Sequence, residues 1–178
     1  MADFTIIDQP LPGVKLLECP HYIDHRGEFT KLFNNDIFSG LDIPFNMAES
    51  FLTRSRAGVI RGMHFQEGEA AHDKLIYCPK GRVLDVIVDV RPESAYFNKP
   101  VSLELSESCR TVLLISKGYA HGFLALEEDS WMVYSTTTIH NPDMDKGVLW
   151  CSIAFEWPLN KPLLSERDRL HPSIESLR

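Results

Sequence analysis

Residues 82–90 read RVLDVIVDV, and the alternation inside that stretch decides the fold class. Successive side chains on a strand point to opposite faces, so Leu84, Val86, Val88 and Val90 share one face while Val83, Asp85, Ile87 and Asp89 share the other. The first face is wholly aliphatic, as a strand packed on a core requires. The second carries two carboxylates, which turns it either toward solvent or into a polar cavity. Working outward, similar short runs of β-branched and aromatic residues recur: KLIYC (74–78), VSLEL (101–105), TVLLI (111–115), HGFLAL (121–126), WMVYSTT (131–137) and GVLWCSIAF (147–155). Turn signals at Pro79-Lys80-Gly81, Lys117-Gly118 and Asn141-Pro142-Asp143 separate them. That rhythm predicts an all-β sandwich or barrel. The helical expectation is confined to short pieces, around Asn35 to Phe38 and along the polar tail from Ser165 to Leu177. The first 50 or so residues are strand-like enough to join the same sheets or a partner's, and no linker or repeat divides the chain. Residues 1–178 therefore read as one β-domain.

Composition narrows the function classes. A chain of 178 residues, 44% hydrophobic, can bury a real core as one soluble domain. The formal charge of -7 comes without a basic run, which excludes a nucleic-acid groove or an anionic membrane surface as the main partner. A few arginines remain available for one anionic ligand. MADFTIIDQP has no basic and then apolar leader pattern, and no apolar stretch approaches the ~18 residues that a membrane helix needs. Cys19, Cys78, Cys109 and Cys151 are far apart with no CxxC spacing, as expected of reduced thiols in a cytoplasmic protein.

The chemistry-bearing residues favour proton transfer over metal binding. His64, His72 and His121 inside a barrel would suit a divalent cation. However, a metal-binding hairpin presents two histidines one residue apart, and Phe65-Gln66 follow His64, so no metal ligand is assigned. Tyr134, Thr136, Thr138 and His140 share parity and would line one face with polar groups, which a purely core-facing strand would not do. A neutral imidazole takes a proton well near pH 7 when a carboxylate holds its other nitrogen, and a tyrosine opposite it can return one.

The blocks DHRGEF (24–29), GVIRGMHFQ (58–66), KLIYCPKGRVLDVIVDVR (74–91), ISKGYAHGFLAL (115–126), MVYSTT (132–137) and PLLSERD (162–168) resemble, in order, the dTDP-4-dehydrorhamnose 3,5-epimerase family. The resemblance implies a double-stranded β-helix, or cupin, acting without metal or redox cofactor in activated-sugar biosynthesis for surface polysaccharide. The substrate would be a nucleotide-linked 4-keto sugar, whose ketone acidifies the protons on C3 and C5. By resemblance His64 is the base, oriented by Asp168, Tyr134 is the acid on the opposite face, and Lys74 stabilises the enolate oxygen. His121 would support or polarise, and Arg61 and Arg26 would grip the diphosphate. In the family Arg26 reaches the neighbouring subunit's site, which implies a homodimer. Arg61 and His64 would face oppositely on a regular strand, so a bend at Gly62 or a rim position for Arg61 is required.

Departures from the family cluster at the nucleotide end. Glu28, Lys31, Glu49 and Phe51 stand where thymidine-specific members have other residues, Ile139 and His140 replace a tyrosine pair, and His72 replaces a glutamine. Glu28 or Glu49 would accept two hydrogen bonds from guanine, which points to a GDP-linked hexose or heptose. Two rival readings share these blocks: a nucleotide-sugar 3,4-ketoisomerase, and a sugar-nucleotide-binding cupin without catalysis.

Overall fold

The computed structural model describes residues 3–178, and thirteen strands dominate them. They are β1 (Thr5–Leu11), β2 (Val14–Glu18), β3 (His21–Asp24), β4 (Gly27–Thr30), β5 (Glu49–Ser55), β6 (Ile60–Gln66) and β7 (Lys74–Lys80), followed by β8 (Arg82–Asp89), β9 (Val101–Ser106), β10 (Thr111–Ile115), β11 (Tyr119–Ala125), β12 (Ser130–Thr136) and β13 (Asp145–Gly147). Two short helices, α1 (Asn35–Gly40) and α2 (Glu166–Leu170), and two 3-10 turns, Gly68–Ala70 and Ile174–Leu177, complete the list of regular elements. A six-stranded sheet runs β1-β2-β10-β7-β12-β5, a five-stranded sheet runs β13-β6-β11-β8-β9, and β3-β4 form a separate hairpin. All these strand pairs are antiparallel. The architecture is the all-β cupin expected from the sequence.

The RVLDVIVDV alternation resolves into two cores. Val83 and Ile87 face the six-stranded sheet and pack with Ile76, Leu113, Phe123 and Met132 between the layers. Val86, Val88 and Val90 face outward, yet are buried under a covering segment that supplies Val148, Ile153, Trp157 and Ile174. The five-stranded sheet is therefore sealed on both sides, which is why β8 carries buried aliphatic residues on both faces. Each fully buried Ile or Phe contributes about 1.5–3 kcal/mol relative to exposure. A third cluster, including Phe38 on α1 and Phe4, Phe45 and Val112, covers the outside of the six-stranded sheet.

Both carboxylates of β8 are buried rather than solvated. Asp85 meets His121, whereas Asp89, at the far end, binds the Arg91 guanidinium at 2.6 Å and the Ser94 hydroxyl at 2.6 Å.

Two expectations need correction. GVLWCSIAF is not a strand beyond Gly147: tight turns follow, with Ser152 N–H donating to the Leu149 carbonyl at 2.9 Å. Its apolar residues cover a sheet instead of joining it. The tail is also broken, because α2 stops at Leu170 and a single 3-10 turn forms at Ile174–Leu177. Pro172 disfavours the α conformation at His171, which is extended with φ -60° and ψ 145°.

Candidate active site

The site begins with two glycines. Gly62 on β6 has φ +139°, and a Cβ there would lie 2.5 Å from the Cα of Gly122 on β11. Only paired glycines allow the strands so close. The register slips at the same place: His121 pairs with His64, but Phe123 pairs with Arg61. This bulge adds one residue to β6 and resets its alternation, so Arg61 and His64 face the same cavity. The bend anticipated at Gly62 is what reconciles them.

The cavity, of about 340 Å³, lies between the sheets. Arg61 stands at one end, where its Nε donates to Ser55 Oγ at 3.0 Å and its Nη2 to the Arg54 carbonyl at 3.1 Å. Glu49, six residues from Ser55 along β5, marks the other end with His140. His64 projects from the five-stranded sheet and Tyr134 from the six-stranded sheet, so they occupy opposite walls of the cavity.

His64 Nε2 lies 2.6 Å from Asp168 Oδ1. The carboxylate is delivered by α2, whose N-cap Ser165 accepts the Asp168 backbone N–H at 3.0 Å, fixing the first turn. Burial works to raise the Asp168 carboxyl, but the hydrogen bond and charge of His64 outweigh it and hold it below the usual range. Asp168 is therefore an anion beside the imidazole at neutral pH.

Lys74 Nζ donates to the His64 carbonyl at 3.0 Å and lines the cavity between the two walls. Burial pushes its ammonium down to about 8, against the opposing pull of Asp145 and Asp85. Burial pushes the Tyr134 phenol far above its usual range, so it stays protonated. Phe51 stacks on the Tyr134 ring at 4.8 Å and 12°. His121, itself 5.9 Å from that ring, pairs through Nε2 with Asp85 Oδ2 at 2.8 Å, and burial lowers it enough to keep it neutral. His72 is pushed down to about 4, by burial first and by Lys74 second, and its Nδ1 lies 3.1 Å from Gln66 Nε2.

At the Glu49 end, Glu49 Oε2 accepts the His140 backbone N–H at 2.7 Å. His140 Nε2 and Arg167 Nη2 both meet Asp145 Oδ2, at 3.0 and 2.8 Å. Strand β12 ends at Thr136, so strand alternation does not extend to Thr138 and His140. Thr138 turns away to donate to the Ala70 carbonyl at 2.7 Å, while His140 reaches the cavity from the following bend.

Three expected residues lie elsewhere. Arg26 sits at the tip of the β3-β4 hairpin, bound to Asp24 at 2.6 Å; Glu28 pairs with Arg110 at 2.6 Å; and Lys31 follows the hairpin. None of the three lines this cavity. Sequence reading also missed Asp145, Arg167 and His171. Arg167 was within reach of it, since it adjoins Asp168 in SERD. Among the described residues, the histidine-rich group whose ligand atoms converge, all within 4.8 Å, is His64, Asp168 and His171 rather than His64, His72 and His121.

The model of the dTDP-4-dehydrorhamnose 3,5-epimerase family matches residues 8–176. The chain is 40% identical to the dTDP-4-dehydrorhamnose 3,5-epimerase of Escherichia coli (strain K12) over 177 residues, covering 97% of this chain and 96% of that one. Among solved structures, the Bacillus anthracis enzyme with TDP and pyrophosphate bound is 35% identical with a TM-score of 0.91, covering 95% of this chain and 98% of that one. The Legionella pneumophila enzyme in complex with dTDP-4-keto-L-rhamnose is 30% identical with a TM-score of 0.91, covering 97% and 93%. Sequence, fold and cavity agree, and the chain belongs to the dTDP-4-dehydrorhamnose 3,5-epimerase family of carbohydrate isomerases.

Proposed function

We propose that the protein inverts C3, C5 or both in a nucleotide-linked 4-keto sugar by cofactor-independent proton transfer. The observation that carries this reading is the opposition of two proton-handling groups, the His64–Asp168 pair on one wall and the protonated Tyr134 on the other. His64 takes the proton α to the ketone, and the electron pair moves onto the carbonyl oxygen as an enolate. Lys74, whose ammonium is present at neutral pH, faces that developing charge. Tyr134 then delivers its proton to the opposite face of the carbon, and exchange with solvent resets both groups. Asp168 stabilises the imidazolium in between. Arg61, which lines the cavity, suits a diphosphate because its forked donors match phosphate oxygens.

The nucleotide is assigned to GDP on the chemistry of Glu49. A carboxylate at the cavity mouth accepts the paired N–H donors of guanine, which thymine lacks. The hairpin carries Arg26 together with exposed Ile23 and Phe29, which supports a homodimer in which Arg26 completes the partner's diphosphate site.

The test is a panel of 4-keto hexoses and heptoses on dTDP, CDP, UDP and GDP, followed by NMR in heavy water. Deuterium entering C3 or C5 with inversion is expected. Carbonyl migration instead would identify a 3,4-ketoisomerase, and no exchange on any substrate would identify a binding protein. Tightest binding of dTDP in calorimetry would overturn the GDP assignment.

A further inference from the structure

His171 is used by none of the steps above, yet it is built into the same place. Its side chain is only 10% exposed, and its Nε2 has no hydrogen-bond partner. That nitrogen lies 3.6 Å from Asp168 Oδ1, the same oxygen that meets His64. The His171 ring stands edge-on to the His64 ring, with centroids 5.5 Å apart and planes at 72°. Its slot exists because Gly147, which pairs with His64 across β13 and β6, has no side chain: a Cβ there would lie 2.5 Å from His171 Cε1 and Nε2. A buried ring nitrogen left unpaired is costly, so a placement this constrained calls for a reason.

We propose that His171 is a positioning residue for the proton-transfer pair, holding the Asp168 carboxylate with a second N–H so that His64, and not Asp168, keeps the abstracted proton. The proposal rests on the reading of His64 and Asp168 as base and orienting acid. A neutral ring facing a carboxylate carries its proton on the facing nitrogen, because a lone pair there would oppose a negative oxygen. Closing the 3.6 Å gap by about half an ångström makes a normal hydrogen bond. The groups facing His171 are His64 on β6, Asp145 on β13, and Arg167 and Asp168 on α2. Burial first, then the charges of His64 and Arg167, lower His171 against the opposing pull of Asp168 and Asp145, which favours the neutral ring. It therefore acts as a donor and not as a second base.

Spreading the Asp168 charge over two donors makes the carboxylate a poorer proton acceptor. Without the second donor the pair holds its proton more tightly. In His171→Phe, the midpoint of the acidic limb of kcat/KM is expected to rise by about half a pH unit, lowering activity about 3-fold on that limb with KM unchanged. His171→Gln, which places an N–H near the same point, should restore the limb. Gly147→Ala displaces the ring without changing it and should reproduce the shift. The carboxyl titration of Asp168, followed by carbon-13 NMR in the free protein, should move up in His171→Phe and return in His171→Gln. An Asp168 titration unmoved in His171→Phe overturns the proposal whether or not the protein is active, and so does a shift that His171→Gln fails to reverse. Absence of solvent exchange in the unaltered protein, by contrast, removes the function reading.

Discussion

His64 and Asp168 stand 104 positions apart in the chain and 2.6 Å apart in space. One sits on a central strand of the five-stranded sheet, the other on a five-residue helix capped by Ser165. The contact joins the barrel to its covering segment, and the proposed chemistry depends on it.

Removing the base should therefore be severe while leaving the fold intact. His64→Ala is expected to lower deuterium exchange about 10²- to 10⁴-fold, the usual contribution of a positioned base. Heteronuclear NMR spectra should show a folded protein; full activity in this variant would refute His64 as the base.

Lys74 sets the alkaline limit. Its ammonium, lowered to about 8 by burial, is present below that pH and lost above it, so kcat should fall as pH rises through about 8. Tyr134 is not responsible, because burial keeps it protonated well beyond that range. In Lys74→Arg the cation persists to high pH, and the fall should vanish from a lower plateau. Lys74→Ala should cost about 10²- to 10³-fold in kcat.

Acid should weaken the fold through His72. Its folded value is about 4 against 6.5 in the unfolded chain, so the unfolded chain takes up the proton first as pH falls. Stability is thus lost progressively between pH 6.5 and about 4. His72→Gln should narrow the difference between urea midpoints at pH 7 and 4.5, the remainder coming from His121 and His171, which burial also lowers.

Gly62→Ala should cost about 1–3 kcal/mol from its positive φ alone, with the clash against Gly122 added. The bulge would shift, and both Arg61 and His64 would leave their positions. Chemical denaturation measures the first effect and substrate turnover the second.

Glu49→Gln tests the nucleotide. If its carboxylate reads guanine, GDP affinity should drop about 10-fold or more in calorimetry while dTDP affinity changes little.

Much of the fold was legible because β-strand burial writes itself into alternation, and RVLDVIVDV, TVLLI and WMVYSTT all became strands. GVLWCSIAF failed because burial against the outside of a sheet produces the same apolar signal as membership of one. Of the site, the Arg61–His64 conflict pointed correctly to Gly62, since a broken alternation demands a backbone cause. His171 and Asp145 were invisible: their roles come from what Gly147 lacks and from where α2 docks, and neither has a local pattern. Arg26, Glu28 and Lys31 lie outside the cavity because β3 and β4 pair only with each other.

The segment that seals the five-stranded sheet also carries Asp168, and this sets an order of events during synthesis. Every strand up to β12 leaves the ribosome before residue 140, so both walls of the cavity except β13 exist as sequence while the carboxylate does not. A nascent chain can present His64, Lys74 and Tyr134 without being able to run the proposed reaction. Competence arrives only when α2 docks on β6, so a chain still being made lacks the carboxylate that the proposed base needs.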